Sequence, residues 1–272
     1  MAKKKVLITV KTYPTISTRY KELACTAGLL EDGSWMRLYP IPFRLLKEDN
    51  RYAKYQWIEA DIDRNKADPR PESYRVLNTD EIQVLSFLGT EREWQERRRL
   101  VLEKGDVYTS LSELIALAHK DKVSLATFKP TKILDFVCED TEPEWPSEKL
   151  QAVLASMEQG VLFEEHKVED FELVKKLPKK FSFVFEGEGG KRRKLMVEDW
   201  ELGMLYWNCL KKYSEDDAAQ KVREKYFDNF AKTKDIHFFL GTTHQYHVRR
   251  APNPFVIVGV FYPPHIKQLS FL

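Results

Sequence analysis

Cysteine is scarce in this chain: three residues among 272, Cys25, Cys138 and Cys209, far apart and in no CxxC pair. That odd, dispersed set argues against a disulfide framework and a thiolate zinc ribbon, and it fits a reducing cytoplasm. Long apolar runs are missing too. No stretch approaches the roughly 18 apolar residues of a membrane-spanning helix. The basic start, MAKKK, is followed by an apolar run from Val6 to Val10, too short for the h-region of a signal peptide. Net charge is nearly absent, +2 from 44 basic and 42 acidic residues, which points to no particular partner. GxSxG, Walker A, GxGxxG and HExxH patterns do not occur, so the corresponding serine hydrolases, P-loop NTPases, dinucleotide enzymes and zincins drop away. There is no internal repeat and no low-complexity tract, and no cofactor is implied.

What is present is material for a core. Hydrophobic residues make up 43% and aromatic residues 12% of the chain, against 32% charged. The length allows one large domain or two modest ones. The first ninety residues read as β-rich: KVLITVKTY is a strand, and ELACTAGLLEDGSWMRLYP is a hairpin turning at Asp32-Gly33. YQWIEADID, SYRVL and IQVLSFL follow as strands, and five or six short strands with polar turns predict a small closed barrel. Helical signals then take over. TEREWQERRRLVLEKG carries a Thr cap, a Glu three residues on and a terminal Gly; TSLSELIALAHKD has apolar residues at helical spacing. TKILDFVCED reads as a strand and PSEKLQAVLASMEQG as a helix.

The sharpest change along the chain is one of charge. Residues 139–172 hold eleven acidic groups against Lys149 and Lys167, a balance of −9; residues 175–194 hold eight basic groups against Glu186 and Glu188, a balance of +6. A boundary near residue 145 would divide the chain into a β-rich part with appended helices, 1–145, and an α+β part, 146–272. In the second part KKFSFVFEGEGGKRRKLMV predicts a hairpin, EDWELGMLYWNCLKKY and EDDAAQKVREKYFDNFAK predict helices, and HFFLG and NPFVIVGVFYPP predict a closing strand pair. The expected fold class is therefore α+β, with an OB-like barrel in front and a mixed α+β domain behind.

Three groups of residues could carry chemistry. His237, His244 and His247 have the residue type of a zinc site, but His237 lies in a predicted strand and no Cys is near, so no metal site is expected. Asp61, Asp63 and Asp68 lie beside Arg64 and Arg70, and a base-excising glycosylase needs a carboxylate with a pocket for a flipped base. Neither the DID at 61–63 nor EGEGGK at 186–191 has the spacing of a restriction-type Mg²⁺ site. Cations at the ends of elements, interleaved with aromatics, suit nucleic acid: Arg37 and Arg44 around Trp35, Tyr39 and Phe43; Lys191, Arg192, Arg193 and Lys194 in a hairpin turn; and His244, His247, Arg249 and Arg250 in a polar connection. That connection, about a dozen residues between two strands, reads as a recognition loop.

ELACTAGLLEDGSWMRLYPIPFR, residues 22–44, resembles the opening of OB-like barrel modules in prokaryotic nucleic-acid-associated proteins, where a Cys-x-Ala-Gly strand faces a Gly-x-Trp-x-Arg strand across a tight turn. Cys25, Ala27 and Gly28 match the first strand, and Gly33, Trp35 and Arg37 the second. The resemblance implies association with nucleic acid, often in mobile-element or phage-defence settings. The expectation is a cytoplasmic DNA-binding protein. The alternatives are a DNA-processing hydrolase, glycosylase or nuclease, and a protein-interaction module that uses the acidic stretch.

Overall fold

A computed structural model describes residues 2–161 and 171–266. In chain order the barrel part contains β1 (Ala2–Lys11), β2 (Thr15–Ser17), β3 (Lys21–Leu29), β4 (Trp35–Ile41), β5 (Gln56–Arg64), β6 (Ser73–Val76) and β7 (Gln83–Phe87). Five of these strands close on themselves in the order β1-β3-β4-β6-β5, with β5 returning to β1; only β4 and β6 run parallel. This is a closed five-stranded barrel compatible with an OB-like fold. β2 and β7 extend it at β3 and β5.

From Val6 onward β1 is buried on both faces, for a reason visible in its register. Val6 and Ile8 point into the barrel with Met36, Leu38, Ile58 and Ile62. Simple alternation would send Val10 inward as well, but a bulge between Ile8 and Val10 turns it outward beside Leu7. There it meets Phe239, Val256, Val258 and Phe261 from the far end of the chain. Gly28, on β3, has no alternative: a Cβ there would sit 2.1 Å from the Leu7 carbonyl oxygen. Gly33 makes the β3–β4 turn with φ +87°, a conformation L side chains rarely adopt.

The connecting region contains α1 (Glu91–Arg98), continuing as π-helix to Lys104, then β8 (Val107–Tyr108), α2 (Leu111–His119), β9 (Leu125–Phe128), β10 (Lys132–Asp140) and α3 (Ser147–Val161). The Thr90 cap predicted for α1 does not form. Arg92, Glu93 and Trp94 adopt left-handed φ of 48°, 56° and 67°, at a cost of about 1–2 kcal/mol per residue. The turn sets Trp94 against Phe261 and Tyr262, at centroid distances of 5.7 and 5.2 Å.

The last part contributes β11 (Lys179–Glu186), β12 (Arg192–Met196), α4 (Trp200–Leu210), α5 (Glu215–Arg223) with its continuation to Ala231, β13 (His237–Thr242), the short α6 (His244–Val248) and β14 (Phe255–Phe261). They form a three-stranded sheet, β10-β11-β12, and a four-stranded sheet, β14-β13-β9-β8. Strands on either side of residue 145 thus share both sheets: β10 pairs with β11, and β9 with β13. β9 was not legible in the sequence. It is four residues long, buried throughout, and lies between a helix and Pro130, too short to show a period. No helix among the described residues is long and apolar enough to cross a membrane.

Candidate functional site

β3 and β4 turn their outer faces toward β13 and β14, and the matched motif supplies those faces. Trp35 packs edge-on against Phe239, centroids 5.1 Å apart. Two residues along the same strand, and so on the same side, Arg37 enters the junction, followed by Tyr39. Between the barrel and the sheet lies a cavity of about 220 Å³. Its barrel wall includes Thr12, Tyr13, Cys25, Arg37, Tyr39 and Arg70; its other wall includes Leu125, Glu198, Thr242, His244, Val256 and Val258. This volume is below the ~300–1,000 Å³ of drug-sized ligand sites.

Arg37 is 1% exposed and fixed by serines rather than by a carboxylate. Its Nη1 donates to Ser124 Oγ at 2.7 Å and Ser73 Oγ at 3.2 Å, and its Nη2 to the Ser124 carbonyl at 3.1 Å. The serines pass the contact on. Ser73 donates to Asp68 at 2.7 Å, and Ser124 donates through both its amide and its hydroxyl to Glu72. Arg70 holds Asp68 at 2.6 Å and donates to the Thr242 carbonyl at 2.6 Å, tying the β5–β6 connection to β13. Burial, followed by repulsion from Arg70, lowers the Arg37 pKa. Arg37 Nε and Thr242 Oγ1 are two of eight inaccessible side-chain atoms without a hydrogen-bond partner among the described residues.

Glu198 is the second unusual group. Its segment is clamped on both sides: the Glu198 amide donates to the Ile257 carbonyl at 2.8 Å, and its carbonyl accepts from the Tyr13 amide at 2.9 Å. Its neighbour Asp199 turns away to cap α4 through the Glu201 amide and to accept from Lys54 at 2.9 Å. Glu198 lines the junction cavity and a second cavity of about 270 Å³ near Trp145. Its carboxyl has no hydrogen-bond or ion-pair partner among the described residues, and burial raises its pKa.

Beside the cavity runs a wider groove of about 630 Å³, with Tyr13 bordering both. Trp200 and Trp207 line it together with Arg44, Lys175 and Lys211.

The residues expected from sequence are only partly brought together. Arg37 and His244 meet at the cavity, and Arg44 borders the groove while holding Glu22 at 2.9 Å. The other members of the expected recognition loop have different places. The segment is a capped helical turn rather than a loop, with Thr243 accepting from the Tyr246 amide. His247 is buried with Nε2 on Asp121 at 3.0 Å, Arg250 holds Asp121 at 2.6 Å, and Arg249 is exposed. His237 stands at the far end of β13, roughly 17 Å along the strand from Thr242, so the three histidines do not converge. Among the described residues no cluster of three or more His, Cys, Asp or Glu could hold a metal ion.

Lys191, Arg192, Arg193 and Lys194 lie in the β11–β12 hairpin and do not line the cavity. Arg193 holds Glu188 at 3.4 Å and Lys194 holds Glu139 at 2.7 Å. Asp61 is exposed on the barrel surface and Asp63 pairs with Arg75 at 3.4 Å. Asp68 is buried, and although burial raises its pKa, the Arg70 guanidinium outweighs this and holds the carboxyl well below its usual range. Asp68 therefore orients arginine and serine, and the three aspartates share no site. Sequence reasoning missed Glu198, and it named Arg70 only as a neighbour of the aspartates. The one available signal was the acidic pair in VEDWE before a helix, where one carboxylate is needed as a cap and the second is not.

Two family models match the chain. Residues 2–103 match a family described as Domain of unknown function (DUF8758), and residues 107–272 match Domain of unknown function (DUF8757). The junction cavity lies where these two matched regions face each other. No curated protein matches the chain. The second model spans more than half of the sequence, and the chain belongs to the DUF8757 family.

Proposed function

We propose that this protein binds nucleic acid, DNA in the first place, and takes one nucleotide unit into the junction cavity. The observation that carries this reading is the junction cavity on the outer face of β3 and β4, where Arg37, Arg70, Tyr39 and His244 line one space. Phosphate suits the two guanidinium charges, and an aromatic wall gives a base a stacking surface. The position on the fold supports the same reading. OB barrels bind oligonucleotides on the face of their second and third strands, flanked by the loops after the first and fourth strands. Here the second and third barrel strands are β3 and β4, with Cys25, Arg37 and Tyr39; the two loops carry Tyr13 and Arg70. The Trp200–Trp207 groove gives the rest of a single strand a path of rings and cations up to Tyr13. The resemblance of residues 22–44 favours a cytoplasmic role in defence or mobile-element biology.

Fluorescence anisotropy with labelled single-stranded and duplex DNA tests the reading. Thr242→Val with His244→Ala should weaken binding about tenfold, in line with roughly 0.5–1.5 kcal/mol per lost hydrogen bond, while leaving the melting temperature unchanged. Unaltered affinity in that variant, or no binding at low salt, would overturn it. The second outcome would favour a protein partner for the acidic stretch, of which residues 162–170 lie outside the described residues.

A further inference from the structure

We infer that the ligand is an unpaired strand several nucleotides long, with its bases taken up in three spaces that meet at residues 13–15. The inference rests on the nucleic-acid reading above and narrows it to single strands. Tyr13 borders the junction cavity, the groove of about 630 Å³ and the cavity of about 270 Å³ near Trp145. Pro14 is shared by the groove and the third space, and Thr15 by the junction cavity and the third space. Each space has an aromatic ring and a cation in its wall: Tyr39 with Arg37, Trp207 with Lys211, and Trp145 with Lys176. The fold itself holds the rings of the groove and the third space. Trp207 Nε1 donates to the Tyr13 hydroxyl at 2.8 Å, and that hydroxyl donates to the Lys175 carbonyl at 2.7 Å. The preceding carbonyl, of Val174, accepts from Trp145 Nε1 at 2.8 Å. Tyr13 can lie against α4 only because residue 203 is glycine; a Cβ there would sit 2.3 Å from the Tyr13 ring.

Rings that are already ordered lose little side-chain freedom when a base stacks on them. Stacking needs the face of a base, which a duplex covers on both sides and an unpaired strand offers at every position. The cations suit the same ligand. Lys211 is exposed at the end of α4, donates to the Asn208 side chain at 3.1 Å and holds no carboxylate among the described residues. Lys176 donates to the Glu142 carbonyl, a neutral partner. Arg44 and Lys175 contribute less, because Glu22 holds the first at 2.9 Å and Glu172 the second at 3.6 Å. Few phosphate contacts are thus added outside the junction cavity, and stacking supplies most of the affinity gained with length.

The test uses the full chain at constant salt, with oligothymidylates of increasing length from the dinucleotide upward and the longest of them also as a duplex with oligoadenylate. Wild-type affinity should rise with length and level off within about 4–16 nucleotides, the range of OB-type sites, and the duplex should bind at least about tenfold more weakly. Trp207→Ala and Trp145→Ala should each lower affinity for the longest strand at least about fivefold, the loss of one stacked base, and leave the dinucleotide within about twofold. Trp207→Phe, which keeps a ring, should recover most of that loss. Lys211→Glu, on the surface and outside the packing, should weaken long strands alone. If Trp207→Ala instead lowers the melting temperature and weakens the dinucleotide as much as the long strand, Trp207 is structural and the inference fails. Equal affinity for duplex and single strand, or no dependence on length, overturns the inference and leaves the binding reading standing. No binding of any oligonucleotide overturns both. Displacement of the long strand by an oligoglutamate peptide carrying Trp would give the three spaces to an acidic protein and overturn the inference.

Discussion

Inside the barrel the side chains are mostly aliphatic, with Val6, Ile8, Leu38, Ile41, Ile58 and Ile62 among them. The core covered by α4 and α5 is built largely from rings: Phe183 lies 4.7 Å from Phe136 and 4.9 Å from Phe238, and Phe136 stacks on Tyr226 at 5.7 Å. A closed barrel of five strands satisfies its own backbone edges and leaves a narrow interior that branched aliphatics fill. Two short open sheets have faces to cover and distances to span, and rings bring more area per residue. The two regions then share a third core, in which Leu7 and Val10 of β1 meet Phe239 and Phe261 of β13 and β14. One face of the barrel therefore serves the second region as a wall, and the cavity is what remains between them.

The charge pair that joins the regions should be the most sensitive point. Lys54 comes from the barrel side and Asp199 from the start of α4, and both are nearly inaccessible. Burial pulls the Lys54 pKa down, but Asp199 and Glu201 outweigh it and raise the value above that of an ordinary lysine. Asp199→Ala leaves this ammonium with Glu201 alone, at 3.3 Å, and removes the α4 cap, with an expected loss of about 3 kcal/mol for the buried pair and about 1 kcal/mol for the cap. Denaturant unfolding measures it; a loss below about 1 kcal/mol would mean that the regions are not held together there.

The contrast between the cores can be tested next. Phe183→Ala should cost about 3–5 kcal/mol and Ile58→Val about 0.5–1.5 kcal/mol. Hydrogen exchange on the first variant should lose protection in β10–β12 before the barrel strands. Simultaneous loss throughout would make the chain one cooperative unit and dissolve the distinction.

Acid should weaken the second region through His237. The imidazole is 5% exposed, and burial, followed by the nearby Lys129, lowers its pKa from 6.5 to about 4. The folded state thus binds the proton less readily than the unfolded chain. Its contribution is fully present above pH 6.5 and is lost as pH falls toward 4, up to about 3 kcal/mol. His237→Gln should flatten the stability curve across that window; an unchanged slope would assign the acid sensitivity elsewhere.

The smallest effect concerns the basic hairpin. Lys194 and Arg193 already hold carboxylates, while Lys191 and Arg192 are exposed. Replacing all four with Ala should reduce the slope of log K against log salt by at most about 2, near 0.9 for each freed cation that meets a phosphate. A reduction approaching 4 would show that DNA displaces Glu188 and Glu139 from their cations.

The sequence by itself determined the barrel and the class of the fold. Alternation in β1, β3, β4 and β5, with Asp32-Gly33 as the turn, fixes strands and their partners locally, because a period of two and a left-handed glycine are properties of short stretches. It also singled out Arg37 and His244, which do border the cavity. Only the tertiary structure decided what they face. β9 is four residues long, Arg70 reaches the carbonyl of Thr242 across 172 residues, and the bulge that turns Val10 outward has no marker in the chain. Glu198 and Asp199 are adjacent acids that look alike in sequence. One meets Lys54 and the other has no partner among the described residues, because successive residues of extended backbone point to opposite sides. Which side held a partner was fixed by segments far away in the chain.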